Sequence, residues 1–219
     1  MKSLFRVSAA VLALIVPATA QAHHPLGGMP METFAHGVLS GIGHPVLGFD
    51  HLFFVVLVGI AALFTGQRYA TPAAYIAAML AGCFAMSVGI GLPAKELMIG
   101  LSLLALGGVV LSGNALGFVP AMAIFAVFGL FHGSAFGDTL ADQEAAVGGQ
   151  VLVGYLIGLG VVQYAIALAA GWFVSNVLEA VRADSVQARL AGAVVAGVGL
   201  FLTLENVEGI VFDLFGWAT

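Results

Sequence analysis

Residues 44–64 read HPVLGFDHLFFVVLVGIAALF, so that two histidines and an aspartate are followed directly by an uninterrupted apolar segment. Such a segment fits only a membrane or a deep protein core. A charged side chain at the centre of a bilayer costs about 2.5 to 3.5 kcal/mol on insertion scales, so an ionisable cluster there indicates function. Imidazole and carboxylate are also donors for divalent metals such as nickel, cobalt and zinc. We therefore interpret His44, Asp50 and His51 as candidate metal ligands.

The composition is that of an integral membrane protein. Of the 219 residues, 61% are hydrophobic and only 8% are charged, whereas a soluble domain carries about 25% charged residues. No polar stretch is long enough to form a soluble domain, and no basic patch suggests nucleic acid as a partner. The single cysteine, Cys83, excludes an internal disulfide and a thiolate metal site. We therefore expect one compact membrane domain.

The first 22 residues have the pattern of a cleavable secretory signal. Two basic residues and an apolar segment precede Ala20-Gln21-Ala22, which fits the A-x-A cleavage pattern. We expect residues 1–22 to be removed and residues 23–219 to form the membrane domain; an uncleaved first helix is the alternative. The mature chain would then begin with His23 and His24, where a free α-amine beside an imidazole could chelate a metal at the outer face.

The hydrophobic pattern predicts an all-α fold, a polytopic membrane protein with six transmembrane helices after the signal. The first span is interrupted by Pro45 and Gly48, and such a break at membrane depth is tolerated only where it faces protein or a wet cavity. The predicted spans, each near the length that a bilayer requires, are residues 34–64, 72–92, 96–111, 118–131, 150–174 and 190 to about 207.

Cleavage of the signal would leave the mature N-terminus outside, and six crossings return the C-terminus to the same side. The charges agree with this orientation, because Arg68, Arg182 and Arg189 fall in connections expected to face the cytoplasm. Among the basic residues of the mature chain, only Lys95 departs from the positive-inside rule. We therefore expect a multi-pass protein of the bacterial inner membrane with both mature termini in the periplasm.

A second ionisable segment follows the fourth predicted span and reads Phe131-His-Gly-Ser-Ala-Phe-Gly-Asp138. Residues 118–131 rise about 21 Å as a helix, which brings His132 to nearly the depth of the first cluster, in the outer third of the membrane. Two segments with histidine and aspartate at one depth can share one ion. We therefore predict that His132 and Asp138 contribute to the same site.

At these residues the chain resembles the HupE/UreJ family of membrane proteins. The resemblance spans essentially the whole chain and is carried by three segments, His23-His-Pro-Leu-Gly-Gly28, Ser40-Gly-Ile-Gly-His-Pro-Val-Leu-Gly-Phe-Asp-His51 and residues 131–138. The second segment is the most specific, because its His-x5-Asp-His spacing comes with proline and glycine in the expected places. The resemblance implies a nickel or cobalt permease with a link to hydrogenase, urease or cobalamin pathways.

The third segment departs slightly from the family pattern. The family carries a glutamate where this chain has Asp138, and often tyrosine or histidine where it has Phe136. Aspartate keeps the charge but shortens the reach by one methylene group, which can alter the affinity or the choice of metal. Glu144 falls where some members carry a further acidic residue. The resemblance implies metal ligands at His44, Asp50, His51, His132 and Asp138, with His23, His24 and Glu144 as additional candidates.

The leading hypothesis is import of Ni²⁺ or Co²⁺ from the periplasm, with the metal as transported substrate, no resident cofactor and no enzymatic activity. The expected partners are a divalent metal ion and the lipid bilayer. Metal binding needs neutral imidazole, so uptake should fall as the pH drops through about 6.5, the ordinary pKa of histidine. The sequence has no Gly-x4-Gly-Lys-Ser/Thr loop for ATP. The membrane potential can drive uptake, because two charges crossing about 100 mV gain about 4.6 kcal/mol.

Three alternatives to transport are compatible with the sequence. One is an intramembrane zinc metalloenzyme in which His44, His51 and His132 hold the metal and Asp50 or Asp138 acts as general base. Another is a metal sensor or chaperone that passes its ion to a maturation protein, although the short predicted cytoplasmic connections offer little docking surface. The third, a purely structural membrane protein, is the least favoured, because it would not explain two matched ionisable segments.

Overall fold

The computed structural model describes residues 30–141 and 148–217, so the predicted signal, His23, His24 and Glu144 lie outside the described residues. Within these ranges the chain is helical and contains no strand, which confirms the predicted all-α class. The helices are α1 (Phe34–Leu47), α2 (Phe49–Leu63), α3 (Ala70–Ser87), α4 (Lys95–Ser112), α5 (Phe118–Ala141), α6 (Gly149–Asn176) and α7 (Val186–Phe215). In the described part of the chain, five of them are individually long and apolar enough to cross a membrane, and α1 with α2 makes a sixth, bent candidate span.

Helices α1 and α2 are two halves of a span that is broken at Gly48, as the sequence predicted. Pro45 lacks a backbone N–H and so weakens the end of α1. Gly48 has extended backbone, with φ −85° and ψ 96°, and the two helix axes differ by 82°. A Cβ atom at Gly48 would lie 3.1 Å from the His51 ring and 3.3 Å from the Asp50 carboxylate. A side chain at Gly48 would therefore require the His51 ring or the Asp50 carboxylate to shift by a few tenths of an ångström.

Both halves of the broken span pack closely on α6. A Cβ atom at Gly41 of α1 would collide with the backbone oxygen of Tyr155, and one at Gly59 of α2 would collide with that of Ala167. Small residues at these positions let the helix backbones approach each other. The later residue of the broken span, Gly59, contacts the later residue of α6, Ala167. Helices α1 and α2 therefore make one crossing that runs parallel to α6.

Helix α5 is longer than the sequence predicted. Its end was predicted at residue 131, with a connection after it, whereas the helix continues for about three further turns. The glycines in this part do not end the helix. Gly133 lies against the backbone of Met79 and Gly137 lies against Met86, so they allow α5 to pack closely and in parallel on α3. The second ionisable segment is consequently helical.

Helix α4 packs antiparallel to α7, with Gly100 against Thr203 and Gly107 against Ala196. The first span is parallel to α6, α3 is parallel to α5, and α4 is antiparallel to α7. These are the directions that six alternating crossings require. Other boundaries also differ from the prediction, since α3 ends before residue 92 and α7 begins before residue 190 and continues beyond residue 207.

The part of the bundle around α2 beyond its first turn is filled by large apolar side chains. These side chains come from α2, α4 and α5, and the fully buried ones include Phe54, Leu57, Leu103, Leu106 and Phe125. This layer lies on the predicted cytoplasmic side of the ionisable residues. The polar groups of the two segments are therefore gathered at one side of an apolar core.

Candidate metal site

A pair of histidines from two different spans forms the centre of the candidate site. The first turn of α2 carries His51 and α5 carries His132, and their Nδ1 atoms are 2.8 Å apart. The other ring nitrogen of His132, Nε2, lies 2.8 Å from the Oγ atom of Ser102 on α4. The Phe54 ring stacks on His132 with 4.4 Å between ring centroids. Residues of the first span and of α4 therefore hold the His132 ring in place.

The hydrogen-bond network assigns the protons on these two rings. The hydroxyl of Ser102 donates its single proton to the carbonyl of Ile99 at 2.7 Å, so its oxygen accepts from Nε2–H of His132. A neutral His132 then has its lone pair on Nδ1, which accepts from Nδ1–H of His51. The lone pair of His51 is consequently on Nε2, and the Oδ2 atom of Asp50 lies 4.0 Å from that nitrogen. With this placement of the protons, the lone pair of His51 is on the ring nitrogen nearest the Asp50 carboxylate.

His44 lies on the other side of the helix break and is held by two hydroxyl groups. Its Nδ1 atom is 2.9 Å from Oγ1 of Thr139 and 3.0 Å from the hydroxyl of Tyr155. The ring centroids of His44 and His51 are 5.9 Å apart. Phe136 contacts both rings, with centroid distances of 4.9 Å to His44 and 4.2 Å to His51. The three predicted histidines therefore lie in one region, around Phe136.

The predicted ligand Asp138 forms an ion pair with Lys95, the first residue of α4. The Nζ atom of Lys95 is 2.5 Å from one carboxylate oxygen and 2.6 Å from the other. The neighbouring Glu96 is close enough to interact with the charges of Asp50, Asp138 and Lys95. This end of the bundle therefore carries an ammonium group among three carboxylates.

Exposure to solvent falls steadily from the carboxylates to the deepest histidine. The side chains of Asp138 and Asp50 are 33% and 29% exposed, whereas His51 is 6% exposed and His132 is fully buried. The ionisable groups thus form a series that begins at the surface and ends inside the bundle.

The residues predicted as ligands are near one another but do not surround a common point. Within residues 30–141 and 148–217, no group of three or more His, Cys, Asp or Glu side chains is arranged to hold a metal ion. His51 and His132 bond to each other, and Asp138 is paired with Lys95. The arrangement offers partial sites of one or two donors along the series and not a closed coordination shell.

Five residues contact or influence the site, although the sequence did not single them out as part of it. In the sequence, Lys95 stands out only as an exception to the positive-inside rule, and Ser102 is a lone polar residue in an apolar segment. Thr139 and Tyr155 carry no motif that would distinguish them from other hydroxyl residues. The sequence could have indicated Lys95 and Glu96, because two adjacent charged residues are unusual in a chain with only 8% charged residues. The five residues are Lys95, Glu96, Ser102, Thr139 and Tyr155.

A further buried polar pair lies next to the histidines. The hydroxyl of Tyr75 on α3 donates to Oε1 of Gln163 on α6 at 2.7 Å, and both side chains are fully buried. The Tyr75 ring is in edge contact with His132, with 6.3 Å between centroids. The amide of Gln163 also lies 3.7 Å from the sulfur of Met79. The polar series therefore continues beyond His132 toward α6.

The fold and this series of side chains define a polytopic helical membrane protein with imidazole and carboxylate groups inside its bundle. The family model described as HupE / UreJ protein matches residues 11–202 of the chain. Protein HupE from Rhizobium leguminosarum bv. viciae is 30% identical over 200 residues, which cover 90% of this chain and 96% of that protein. The chain belongs to the HupE/UreJ family. No solved structure is significantly similar to it.

Proposed function

We propose that this protein is a permease that imports Ni²⁺ or Co²⁺, as its family resemblance implies. The observation that carries the proposal is the contact between His51 and His132, two imidazoles from different spans that meet inside a membrane bundle. Ionisable groups are expensive at this depth and mark ion pathways when they face the bundle interior. Neutral imidazole with carboxylate suits nickel and cobalt, and the donor set alone does not choose between them.

The series of exposures suggests the order in which an ion meets its ligands. Asp50 and Asp138 lie nearest the surface and attract the hydrated cation, while His44 and His51 come next and His132 is deepest. Since the described residues hold no preassembled group of three donors, we propose that the ion exchanges water for protein ligands in steps. At the deepest step His51 turns away with its Nδ1 proton, which breaks its hydrogen bond to His132 and leaves the Nδ1 lone pair of His132 available to the metal.

The direction of transport follows from the proposed orientation. We place the carboxylates on the periplasmic side of the inner membrane and the apolar layer around Phe54 and Leu57 on the cytoplasmic side, with both mature termini in the periplasm. In this arrangement the polar series is open from outside and closed inside. The membrane potential then favours entry, by about 4.6 kcal/mol for a divalent ion at about 100 mV.

The processing of the N-terminus belongs to the same proposal. We propose that residues 1–22 are removed and that residues 23–219 form the transport domain, so N-terminal sequencing of the purified protein should begin at His23. We also propose His23, His24 and Glu144 as additional ligands that collect the ion at the outer face. Their substitution should raise the half-saturating metal concentration less than substitution of His132 does.

The test is accumulation of labelled Ni²⁺ and Co²⁺ in cells that lack their own importers. The intact chain is compared with Asp50→Asn and His132→Ala at equal membrane expression. Arg182→Met serves as the control, because it removes an exposed ion pair with Asp184 outside the bundle. We expect accumulation of at least one metal by the intact chain and the control, and its loss in both site variants.

Two other outcomes would replace the proposal with an alternative. Metal binding by the purified protein without accumulation in cells or in liposomes would indicate a sensor or chaperone. Chemical conversion of a substrate by the zinc-loaded protein, without movement of metal, would indicate a metalloenzyme. Accumulation that persists in His132→Ala would show that the buried histidine pair is not part of the route.

A further inference from the structure

We infer that Lys95 is a tethered competitor for the metal ion, whose ammonium group occupies the Asp138 carboxylate until a divalent cation displaces it. The inference rests on the proposed function and specifies how access to its outermost carboxylate is controlled. It makes Lys95 a residue that sets affinity and specificity, although it cannot itself bind a cation.

The geometry of the ion pair places the ammonium where a metal would bind. Both oxygens of Asp138 are taken by the same nitrogen of Lys95, at 2.5 and 2.6 Å. A carboxylate that holds a cation between its two oxygens offers no bidentate position to another. A metal ion can therefore use both oxygens of Asp138 only after Lys95 has moved away.

The side chains of the pair are accessible enough for this exchange. Lys95 is 21% exposed and Asp138 is 33% exposed, so neither side chain is sealed inside the bundle. A partly exposed ion pair contributes little net free energy, so a more highly charged cation can displace the ammonium group. Lysine also suits an exchange better than arginine, because its compact charge is carried on a flexible chain and lacks the rigid fork that binds a carboxylate through two N–H groups.

The surrounding charge explains why a cation is held here. The charges of Asp50, Asp138 and Lys95 all reach Glu96, and Lys95 pairs directly with Asp138. A divalent ion carries twice the charge of the ammonium group and gains more from these carboxylates, whereas a monovalent ion does not. The competitor thus favours divalent over monovalent cations at the entrance.

The experiment measures Ni²⁺ uptake into liposomes against metal concentration for the intact chain, Lys95→Met and Lys95→Arg. Lys95→Met keeps a similar length but removes the charge, so its half-saturating concentration should fall, by up to about fivefold for a partly exposed pair. Lys95→Arg retains the competitor and should not show this fall. Arg182→Met removes a positive charge and an ion pair far from the site, and should match the intact chain.

A second measurement separates competition from a purely structural role. In equilibrium binding of Ni²⁺ to the purified protein, Lys95→Met should bind more tightly than the intact chain. This gain should vanish when Asp138→Asn is added, because the competitor then has no carboxylate to block. A structural pair predicts the opposite sign, namely equal or weaker binding by Lys95→Met. That result, with normal yield and unfolding temperature, would overturn the inference.

Failure of the inference and failure of the proposed function give different results. If the intact chain transports Ni²⁺ and Lys95→Met has an unchanged half-saturating concentration, the permease stands and the inference fails. If the intact chain binds Ni²⁺ without transporting it, the permease fails, and the binding comparison still decides the role of Lys95. If the intact chain binds no Ni²⁺ and no Co²⁺, both are overturned.

Discussion

The Nδ1 atoms of His51 and His132 are 2.8 Å apart, although the two residues are 81 positions apart in the chain. Such a contact between two neutral rings requires that one nitrogen donates and the other accepts. The contacts of Ser102 favour one assignment, because its hydroxyl donates to the Ile99 carbonyl and its oxygen can then accept from the far nitrogen of His132. The nitrogen on which His51 offers its lone pair thus depends on a serine of another span.

Substitution of Ser102 by alanine should weaken metal binding without unfolding the protein. Without its partner on Nε2, His132 is no longer held in one tautomer, and loss of such an outer partner typically costs about 10-fold to 100-fold in metal affinity. Equilibrium binding of Ni²⁺ to the purified variant measures the effect. Ser112→Ala is the matched control, because Ser112 on the same helix also donates to a carbonyl three residues earlier but is exposed. Equal affinities for the two variants would refute the role assigned to Ser102.

Removal of the two hydroxyl groups around His44 should reduce uptake cooperatively. Tyr155→Phe and Thr139→Val each remove one partner of His44 Nδ1, and the loss of one hydrogen bond typically costs about 0.5 to 1.5 kcal/mol. Each single variant should lose about twofold to tenfold in uptake at low metal concentration. The double variant should lose more than the product of the two, since the second hydroxyl can no longer compensate for the first.

The control for this pair is Tyr164→Phe, because the hydroxyl of Tyr164 donates to the Tyr69 carbonyl at an exposed position. Uptake by Tyr164→Phe should equal that of the intact chain. Strictly multiplicative losses in Tyr155→Phe and Thr139→Val would mean that the two hydroxyls do not act on the same ring.

Gly41→Ala should destabilise the fold, whereas Gly197→Ala should not. A Cβ atom at Gly41 collides with the backbone oxygen of Tyr155, and a forced rearrangement of this kind typically costs about 1 to 3 kcal/mol. A Cβ atom at Gly197 on α7 meets nothing within 4 Å, and alanine there gains up to about 1 kcal/mol in helix propensity. Unfolding temperatures in detergent give the comparison. A Gly41→Ala protein as stable as the intact chain would show that α1 and α6 are less closely packed than described.

At position 138 the charge should matter more than the length. Asp138→Glu keeps the carboxylate and restores the residue that the family resemblance implies, so its uptake should stay within a few-fold of the intact chain. Asp138→Asn removes the charge and leaves Lys95 without its carboxylate partner, so uptake should fall much further. Both are compared by metal accumulation at equal expression, with Asp184→Asn as an exposed control. Normal accumulation by Asp138→Asn would remove this residue from the route.

The sequence predicted the apolar spans of the described residues and the break in the first one, because apolar segments, Pro45 and Gly48 are local signals. It failed at the end of the fourth span, because Gly133 and Gly137 resemble helix breakers when read alone. Their role is visible only with α3 in place, where Met79 and Met86 occupy the space that a side chain would need. Whether a glycine ends a helix or lets two helices pack closely therefore depends on its tertiary contacts, which the sequence does not display.

The candidate site was predictable to a similar extent. The depth of the two ionisable segments led to the expectation that they meet, and the structure places His51 against His132. The pairing of Asp138 with Lys95 could not be foreseen, because it depends on the position of α4 relative to α5. Hydroxyl partners such as Tyr155 were equally inaccessible, since a single hydroxyl residue in an apolar helix has no distinguishing pattern.

His44 and His51 stand on either side of Gly48, on helices whose axes differ by 82°. Each helix is fastened to α6 through a glycine, and each ring is held by hydrogen bonds. The separation of the two rings, 5.9 Å between centroids, is therefore a property of the backbone. If both rings bind one ion, as proposed above, we expect them to act like a chelating ligand with a stiff linker, whose fixed donor separation favours cations of one radius.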